Sequence, residues 1–378
     1  MCGLEDLFAT LRRHPDVEAP NLFAVDAADR LILDEADEAL SVAPRDSVVV
    51  IGDHYGALTL GAATAHGTAG IRVHQDAITG EHALTANAAR VGLTDRFTSM
   101  PLGAELVEGA RVVLMQLPRS LGELTEYAET IARDAAPDVV VFAGGRSKHM
   151  TIAMNDVLGR AFEGVQAGRG RQKSRVLTVR GPDRDVVPTF PLRATLEHPP
   201  MDVVAHGAVF GGTKLDIGTR FLLEHLGKVD RGARSAVDLG CGTGILAVRL
   251  ARSNPDLQVI ATDRSAAAVA SAAATAAANG VDDRVRTLRD DAMSTLADSS
   301  QDVVVCNPPF HLGAAVHTGA ARKMFEAAGR VLKPGGQMLT VYNTHLGYRG
   351  LLKELIGPTE TVGRNAKFTV TVSRTPSR

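Results

Sequence analysis

Three cysteines, Cys2, Cys241 and Cys306, are all that the chain carries, and no two stand at the short spacing of a zinc knuckle or a redox dithiol. A disulfide scaffold and a bound metal are both set aside on that ground. Long apolar runs are lacking too, so no segment is expected to cross a bilayer. No charged-apolar-small leader opens the chain, because Met1-Cys2-Gly3-Leu4-Glu5-Asp6 leads straight into acidic and polar residues. The expectation is a cytoplasmic protein with no membrane partner. A net excess of either charge is also missing, since 41 Lys+Arg meet 43 Asp+Glu.

What is present is the composition of a soluble globular protein: 45% hydrophobic and 22% charged residues, with mean hydropathy +0.02. A chain of 378 residues exceeds the size at which one core stops growing, which predicts two domains. The near-zero charge hides an asymmetry. Residues 1–200 hold 20 basic and 27 acidic side chains, and residues 201–378 hold 21 and 16. Within the acidic half, Arg146, Lys148, Arg160, Arg169, Arg171, Lys173, Arg175 and Arg180 face just Asp156 and Glu163 over residues 141–180. Two readings are open: a solvated, glycine-interrupted loop, or footing for a polyanion.

Strand-like and helical runs alternate throughout, the pattern of parallel α/β sheets. In the second half, strands are expected at 236–239, 258–262, 285–288, 302–306 and 337–341. An alanine-rich helix over 265–278 is stopped by Asn279-Gly280, and a second helix over about 319–332 stops at Lys333-Pro334-Gly335-Gly336. The last strands, near 360–362 and 367–372, read as an antiparallel hairpin. Prolines at 182, 188, 191, 199 and 200 predict a polar, helix-poor connector over 185–205. The expected domains are 1–190 and 201–378.

An internal repeat links the halves. Val48-Val49-Val50-Ile51-Gly52-Asp53-His54-Tyr55-Gly56 aligns with Ala236-Val237-Asp238-Leu239-Gly240-Cys241-Gly242-Thr243-Gly244, and Val112 to Arg119 aligns with Val303 to Phe310. In the first copy Val50 replaces Asp238, His54 replaces Gly242, and Gln116-Leu117-Pro118-Arg119 replaces Asn307-Pro308-Pro309-Phe310. This predicts a duplicated domain whose first copy has lost its chemistry.

The turn Asp238 to Gly244 follows a strand and opens a helix, where glycines let the backbone approach a ligand. A dinucleotide fingerprint would need glycine at 245, which is Ile245. An acid ahead of the first glycine suits a ligand with a cationic amino-acid end better than a pyrophosphate. Asp263 closes the next strand, where a carboxylate can accept both hydroxyls of a ribose; helix-terminal charge is the simpler alternative. Asp290 and Asp291 follow the third strand, with Asp291 placed to receive an adenine amino group. The candidate cofactor residues are therefore Asp238, Gly240, Cys241, Gly242, Gly244, Asp263, Asp290, Asp291 and Asn307.

Cys306-Asn307-Pro308-Pro309-Phe310 ends the fourth strand. Two prolines stiffen the turn, so that the Asn307 side chain and the Pro308 carbonyl can accept the two N–H bonds of one exocyclic amine. That draws the nitrogen toward tetrahedral geometry and bares its lone pair to a methyl sulfonium, while Phe310 offers a face for an unstacked base. Such chemistry needs positioning more than acid–base power, in keeping with the lack of a His-Asp or Cys-His pair in the motif. Asn307, Pro308, Pro309 and Phe310 are the candidate catalytic residues. Cys306 precedes the loop and reads as a small buried strand residue.

With these motifs in order the chain resembles the ribosomal RNA guanine-N2 methyltransferases of the RsmC and RlmG type. The resemblance also rests on Gly207-Ala208-Val209-Phe210, Leu215 to Leu223 and Asn343 to Tyr348. In the first half, Asp26 to Leu33 and Gly52 to Leu58 favour the large-subunit, RlmG branch. It implies two tandem Rossmann-like class I methyltransferase domains, each a mostly parallel twisted sheet flanked by helices with a C-terminal antiparallel hairpin. It further implies S-adenosylmethionine as cofactor, ribosomal RNA as partner, and a first domain that binds RNA or scaffolds. By the same resemblance Asp238, Gly240, Gly242 and Gly244 hold the methionine end, Asp263 the ribose and Asp291 the adenine, with Asn307 gripping guanine N2 and Phe310 stacking. Relatives often place Asn at the position of Asp291. A monomer is expected. The loop alone leaves N6-adenine and protein glutamine-N5 methylation open, as well as an RNA-binding ribosome assembly factor without turnover.

Overall fold

The computed structural model describes residues 3–16, 18–309 and 314–377, with backbone alone for 314–318. The chain divides into two compact units, Met1–Phe190 and Pro191–Arg378. In the first unit the strands are β1 (Val48–Ile51), β2 (Ile71–His74), β3 (Phe97–Ser99), β4 (Val112–Gln116), β5 (Val140–Arg146), β6 (Phe162–Ala167) and β7 (Ser174–Pro182). They form one sheet in the order β3-β2-β1-β4-β5-β7-β6. Neighbours from β3 to β5 run parallel, and β7 is antiparallel to both β5 and β6.

The second unit opens with an antiparallel pair, β8 (Leu192–Glu197) and β9 (Pro200–Ala205). Its main strands are β10 (Ser235–Leu239), β11 (Gln258–Asp263), β12 (Val285–Arg289), β13 (Gln301–Cys306), β14 (Leu332–Asn343), β15 (Thr359–Arg364) and β16 (Phe368–Arg374). Their order is β12-β11-β10-β13-β14-β16-β15, position for position that of the first sheet. Neighbours from β12 to β14 again run parallel, and β16 is antiparallel to β14 and β15. The doubled α/β fold with its terminal hairpin is thus present in both halves.

Both sheets are covered on two faces, which is why their central strands read as unbroken apolar runs instead of alternating ones. The pleat sends Val48 and Val50 into one core and Val49 and Ile51 into the other. In the second unit Val303 and Val305 enter one core, and Val304 and Cys306 the opposite one. The alanine-rich helix Ala266–Ala278 is capped by Ser265, whose hydroxyl accepts from Ala268 N. Its small side chains permit close layering on the sheet.

One segment differs from the sequence expectation. Residues 192–205, expected as part of a polar, helix-poor connector, are a β hairpin. Met201, Val203 and Ala205 are buried, and β9 lies along helix Ala266–Ala278. There Thr275 Oγ1 accepts from Val204 N at 3.0 Å and Ser271 Oγ accepts from His206 N at 2.9 Å. Lys333 to Gly336, read in the sequence as the stop of the preceding helix, do follow its end and fall within β14. The helix Ala314–Val331 leads directly into that strand, whose register with β13 shifts between Gln301 and Val303. Lys333 to Gly336 pair with neither β13 nor β16, and Gly335 takes φ 77°, so the run keeps its turn-forming character as a bulge near the start of the strand.

Candidate active site

The carboxyl ends of β10, β11, β12 and β13 gather the residues singled out by sequence. After β10, Gly240, Gly242 and Gly244 have φ of 77°, 51° and 78°, a region that L side chains enter with strain. Gly240 N and Cys241 N both donate to Thr262 O, at 2.8 and 3.0 Å, which ties the turn to β11. A Cβ on Gly242 would meet nothing within 4 Å, whereas one on Gly244 would lie 2.9 Å from Ala272 Cβ. Gly242 therefore answers to backbone conformation and Gly244 to the close approach of helix Ala266–Ala278. The Cys241 side chain packs into the core, not toward open space.

Asp238 is wholly buried within β10. Its Oδ2 accepts from Ala247 N at 3.0 Å, in the helix Ile245–Ser253 that follows the turn. Its Oδ1 is buried and has no partner. Burial, followed by the charge of Asp263, pushes its pKa up to about 7 against the pull of the Ala247 N–H. A buried carboxylate oxygen without a donor is costly unless something cationic or hydrogen-bonding completes it. This observation favours a ligand with an ammonium end at the glycine turn. Asp263 ends β11, and its carboxylate accepts from Gly242 N at 3.2 Å and Ser265 N at 3.0 Å. It thereby braces the turn and the next helix together.

The two acids after β12 have separate partners. Asp290 accepts from Thr295 N at 2.9 Å and Thr295 Oγ1 at 2.7 Å, and also from Ser294 Oγ. Burial would raise its pKa, but these hydrogen bonds outweigh it and hold the carboxyl below its usual range. Its side chain is consumed by its own loop. Asp291, expected to meet an adenine, is paired with Lys323.

At the end of β13, Asn307 Nδ2 donates to Asp216 Oδ2 and to Thr219 Oγ1, both at 3.0 Å. Its Oδ1 is buried and unpaired. Asp216 is the N-cap of helix Ile217–Leu223, its Oδ2 accepting from Thr219 N at 3.1 Å. Gly218 leaves room for the amide: a Cβ there would stand 3.2 Å from Asn307 Oδ1 and 3.3 Å from Nδ2. Asp216, Gly218 and Thr219 received no role from the sequence, although an Asp followed three residues later by Thr is a helix-start signal. Pro308 is buried and Pro309 exposed, while Phe310 and His311 lie outside the described residues. Cys306 is fully buried in the core, and burial followed by the charge of Asp238 pushes its thiol well above the ordinary range. It is no ready nucleophile. Among the described residues no group of three His, Cys, Asp or Glu could hold a metal ion, and no helix is long and apolar enough to cross a membrane.

The first sheet carries counterparts in register. Ile51 pairs with His74 and Met115 as Leu239 pairs with Thr262 and Cys306. Val50 thus stands for Asp238, Asp53 for Cys241, Gln75 for Asp263 and Gln116 for Asn307. Asp53 accepts from Leu58 N at 2.7 Å and Thr59 N at 2.9 Å. Burial, opposed by these bonds, raises its pKa to about 6.

Comparison with known proteins agrees with this division. Residues 3–183 match the RLMG N-terminal domain, and residues 200–372 match the methyltransferase small domain. The chain is 34% identical over 364 residues to ribosomal RNA large subunit methyltransferase G of Shewanella amazonensis, covering 95% of this chain and 94% of the relative. It is 36% identical over 375 residues to the Pseudomonas aeruginosa protein of the same name, covering 96% and 98%. A solved structure of the T. thermophilus 16S rRNA N2 G1207 methyltransferase (RsmC), in complex with AdoMet and guanosine, superimposes with TM-score 0.72 at 22% identity, covering 95% of this chain and 97% of that one. That likeness speaks to the fold. The near full-length identity to relatives that share one name, joined to matches for both of its domains, goes further: the chain belongs to the ribosomal RNA large subunit methyltransferase G family.

Proposed function

We propose that this chain transfers a methyl group from S-adenosylmethionine to the exocyclic N2 of a guanine in large-subunit, 23S, ribosomal RNA. The chemistry belongs to residues 201–378. Residues 1–190 serve as a catalytically silent domain that binds RNA or scaffolds, and the protein works as a cytoplasmic monomer. The observation that carries this reading is the Asn307 amide, whose nitrogen is held by two acceptors and whose oxygen is buried without a donor, at the mouth of a glycine turn that holds a second unpaired oxygen on Asp238.

S-adenosylmethionine supplies, when bound, a methyl group activated by a positively charged sulfur. Asp238 and the backbone of Gly240 and Gly242 hold the amino-acid end, with Gly244 keeping the helix close enough to shape the turn. Asp263 serves the ribose hydroxyls. Asp290 fixes the loop from which Asp291 reaches the adenine, after exchange with Lys323. Asn307 Oδ1 accepts one N–H of the guanine amine and the Pro308 carbonyl the other, while Phe310 stacks on the ring and Pro309 stiffens the turn. Accepting both hydrogens turns the nitrogen lone pair outward, and positioning then does most of the catalytic work.

For the first unit, slight desolvation and the charges of Arg119, Lys148 and Arg146 lower the pKa of the exposed His149. That concentration of cations suits phosphate contacts. Incubation with radiolabelled cofactor and total ribosomal RNA from a strain lacking the enzyme, followed by mass-spectrometric mapping, tests the proposal. N2-methylguanine in the large ribosomal RNA is expected. Label in an adenine, in a protein, or nowhere would overturn it.

A further inference from the structure

We infer that Asp216 and Thr219 form a two-point clamp that sets which arm of the Asn307 amide faces the substrate, making them positioning residues for methyl transfer. The inference rests on the reading of Asn307 as the group that grips the amine. A carboxamide is a fork with one donating and one accepting arm, and a half-turn about its last bond exchanges them. Just the accepting arm can take an N–H from an exocyclic amine. Here Nδ2 lies 3.0 Å from Asp216 Oδ2 and 3.0 Å from Thr219 Oγ1. Turned over, Oδ1 would face a carboxylate oxygen at that distance with no proton between them. The charge on Asp216 therefore selects the arrangement in which Oδ1 is left for substrate.

The clamp is itself immobilised. The same Asp216 Oδ2 caps helix Ile217–Leu223 by accepting from Thr219 N at 3.1 Å, so both clamp residues are fixed by one helix start. Between them, Gly218 admits no side chain without contact: a Cβ would lie 3.0 Å from Asp216 Oδ2 and 3.2 Å from Asn307 Oδ1. The first unit holds one arm of the same device. Asp26 caps helix Ala27–Ser41 by accepting from Ala28 N and Asp29 N, and Asp29, third in that helix as Thr219 is in its own, accepts from Gln116 Nε2. Gln116 occupies the strand-end position of Asn307 in register. The residue one turn after a capping aspartate thus holds the strand-end amide in both units, joined by the cap itself in the second.

The full-length protein should be assayed on unmodified 23S ribosomal RNA transcript, with cofactor affinity and Tm measured on the same variants. Thr219→Val removes one acceptor without changing shape, and should lower kcat about 10-fold while cofactor Kd and Tm barely move. Asp216→Ser keeps a helix cap but falls short of Asn307, and should lower kcat by roughly 30-fold. Asn307→Asp sets two carboxylates against each other and should cost about 100-fold or more. Adding Asp216→Asn to that variant swaps donor and acceptor, and should recover about 10-fold or more of the loss. A merely structural role for Asp216 predicts no such recovery. If Thr219→Val and Asp216→Ser turn over as the wild type does, or the swapped pair recovers nothing, the clamp is refuted while Asn307 keeps its role. Wild-type turnover by Asn307→Ala would instead remove the reading on which the clamp depends.

Discussion

The two units share one strand order and differ at the strand ends, and the difference is one of hydrogen-bond bookkeeping. In the first unit, the carboxylate at the turn after β1 belongs to Asp53 and is spent on the N–H groups of Leu58 and Thr59. Val50 leaves nothing polar in the strand, and Gln75 stands where the second unit has Asp263. In the second unit the carboxylate sits three positions earlier, inside β10, and satisfies one N–H with one oxygen. Its other oxygen has no partner, and neither does Asn307 Oδ1. The first unit thus commits the Asp53 carboxylate to its own backbone and the Gln116 amide nitrogen to Asp29. The copy read as active keeps two acceptors in reserve, which costs stability and leaves something to bind with.

The largest expected break in that comparison is at the strand-end amide. Asn307→Ala should lower turnover by about 100-fold or more, about 2.7 kcal/mol of transition-state stabilisation, whereas Gln116→Ala should stay within about twofold. Comparable losses in both would mean that the first unit takes part in catalysis. Next comes the second strand. Asp263→Ala should weaken cofactor binding by about 10- to 100-fold in calorimetry, and Gln75→Ala should leave it unchanged; equal affinities would reduce Asp263 to a brace for the turn.

Asp238 gives a pH-dependent contrast. Its folded pKa, about 7, lies above the ordinary 3.8, so the unfolded chain releases this proton first as pH rises. Stability from this group is full below pH 3.8, declines through the interval up to about 7, and is level beyond. Asp238→Asn removes the decline and leaves an unpaired amide N–H₂ in its place, so a net gain of about 1–2 kcal/mol is expected at pH 8 and none at pH 4. Urea titrations at both pH values check this; a gain independent of pH would mean that the carboxyl is not the source. The same variant should bind cofactor more weakly at pH 8.

The smallest effect concerns the basic stretch of the first unit. Arg171 is already engaged by Asp34 at 3.1 Å and Glu35 at 3.7 Å. Arg171→Gln should therefore change the salt dependence of RNA binding less than Lys148→Gln, which should reduce the slope by about one if it meets a phosphate. Equal slopes would return both residues to the solvated surface.

Much of the fold was legible because buried parallel strands announce themselves as apolar runs, and the repeat was legible because both copies keep a glycine turn after such a run. The β8–β9 hairpin was hidden by its prolines, whose local preference for a connector is overridden when Met201, Val203 and Ala205 find a helix to cover. The glycine turn could be located but not apportioned: that Gly244 serves helix packing emerges from its approach to Ala272. Asp290 and Asp291 look alike in sequence and are separated by neighbours 4 to 32 residues away. The clamp was beyond reach for a related reason. Asp216 and Thr219 meet Asn307 across 91 and 88 residues, and the sole local trace of that meeting is an ordinary helix start.

The hairpin that opens the second unit bears on how that unit can be separated. Through Val204 and His206 it is stitched to Thr275 and Ser271, midway along the helix whose first turn follows Asp263. A fragment cut to begin after residue 206 would strip one side of that helix and leave two hydroxyls facing water, and the Asp263 carboxylate would ride on a loosened support. The boundary for an autonomous second unit therefore lies upstream of Leu192, and a protease nick between 192 and 206 should be felt first as a looser brace at Asp263.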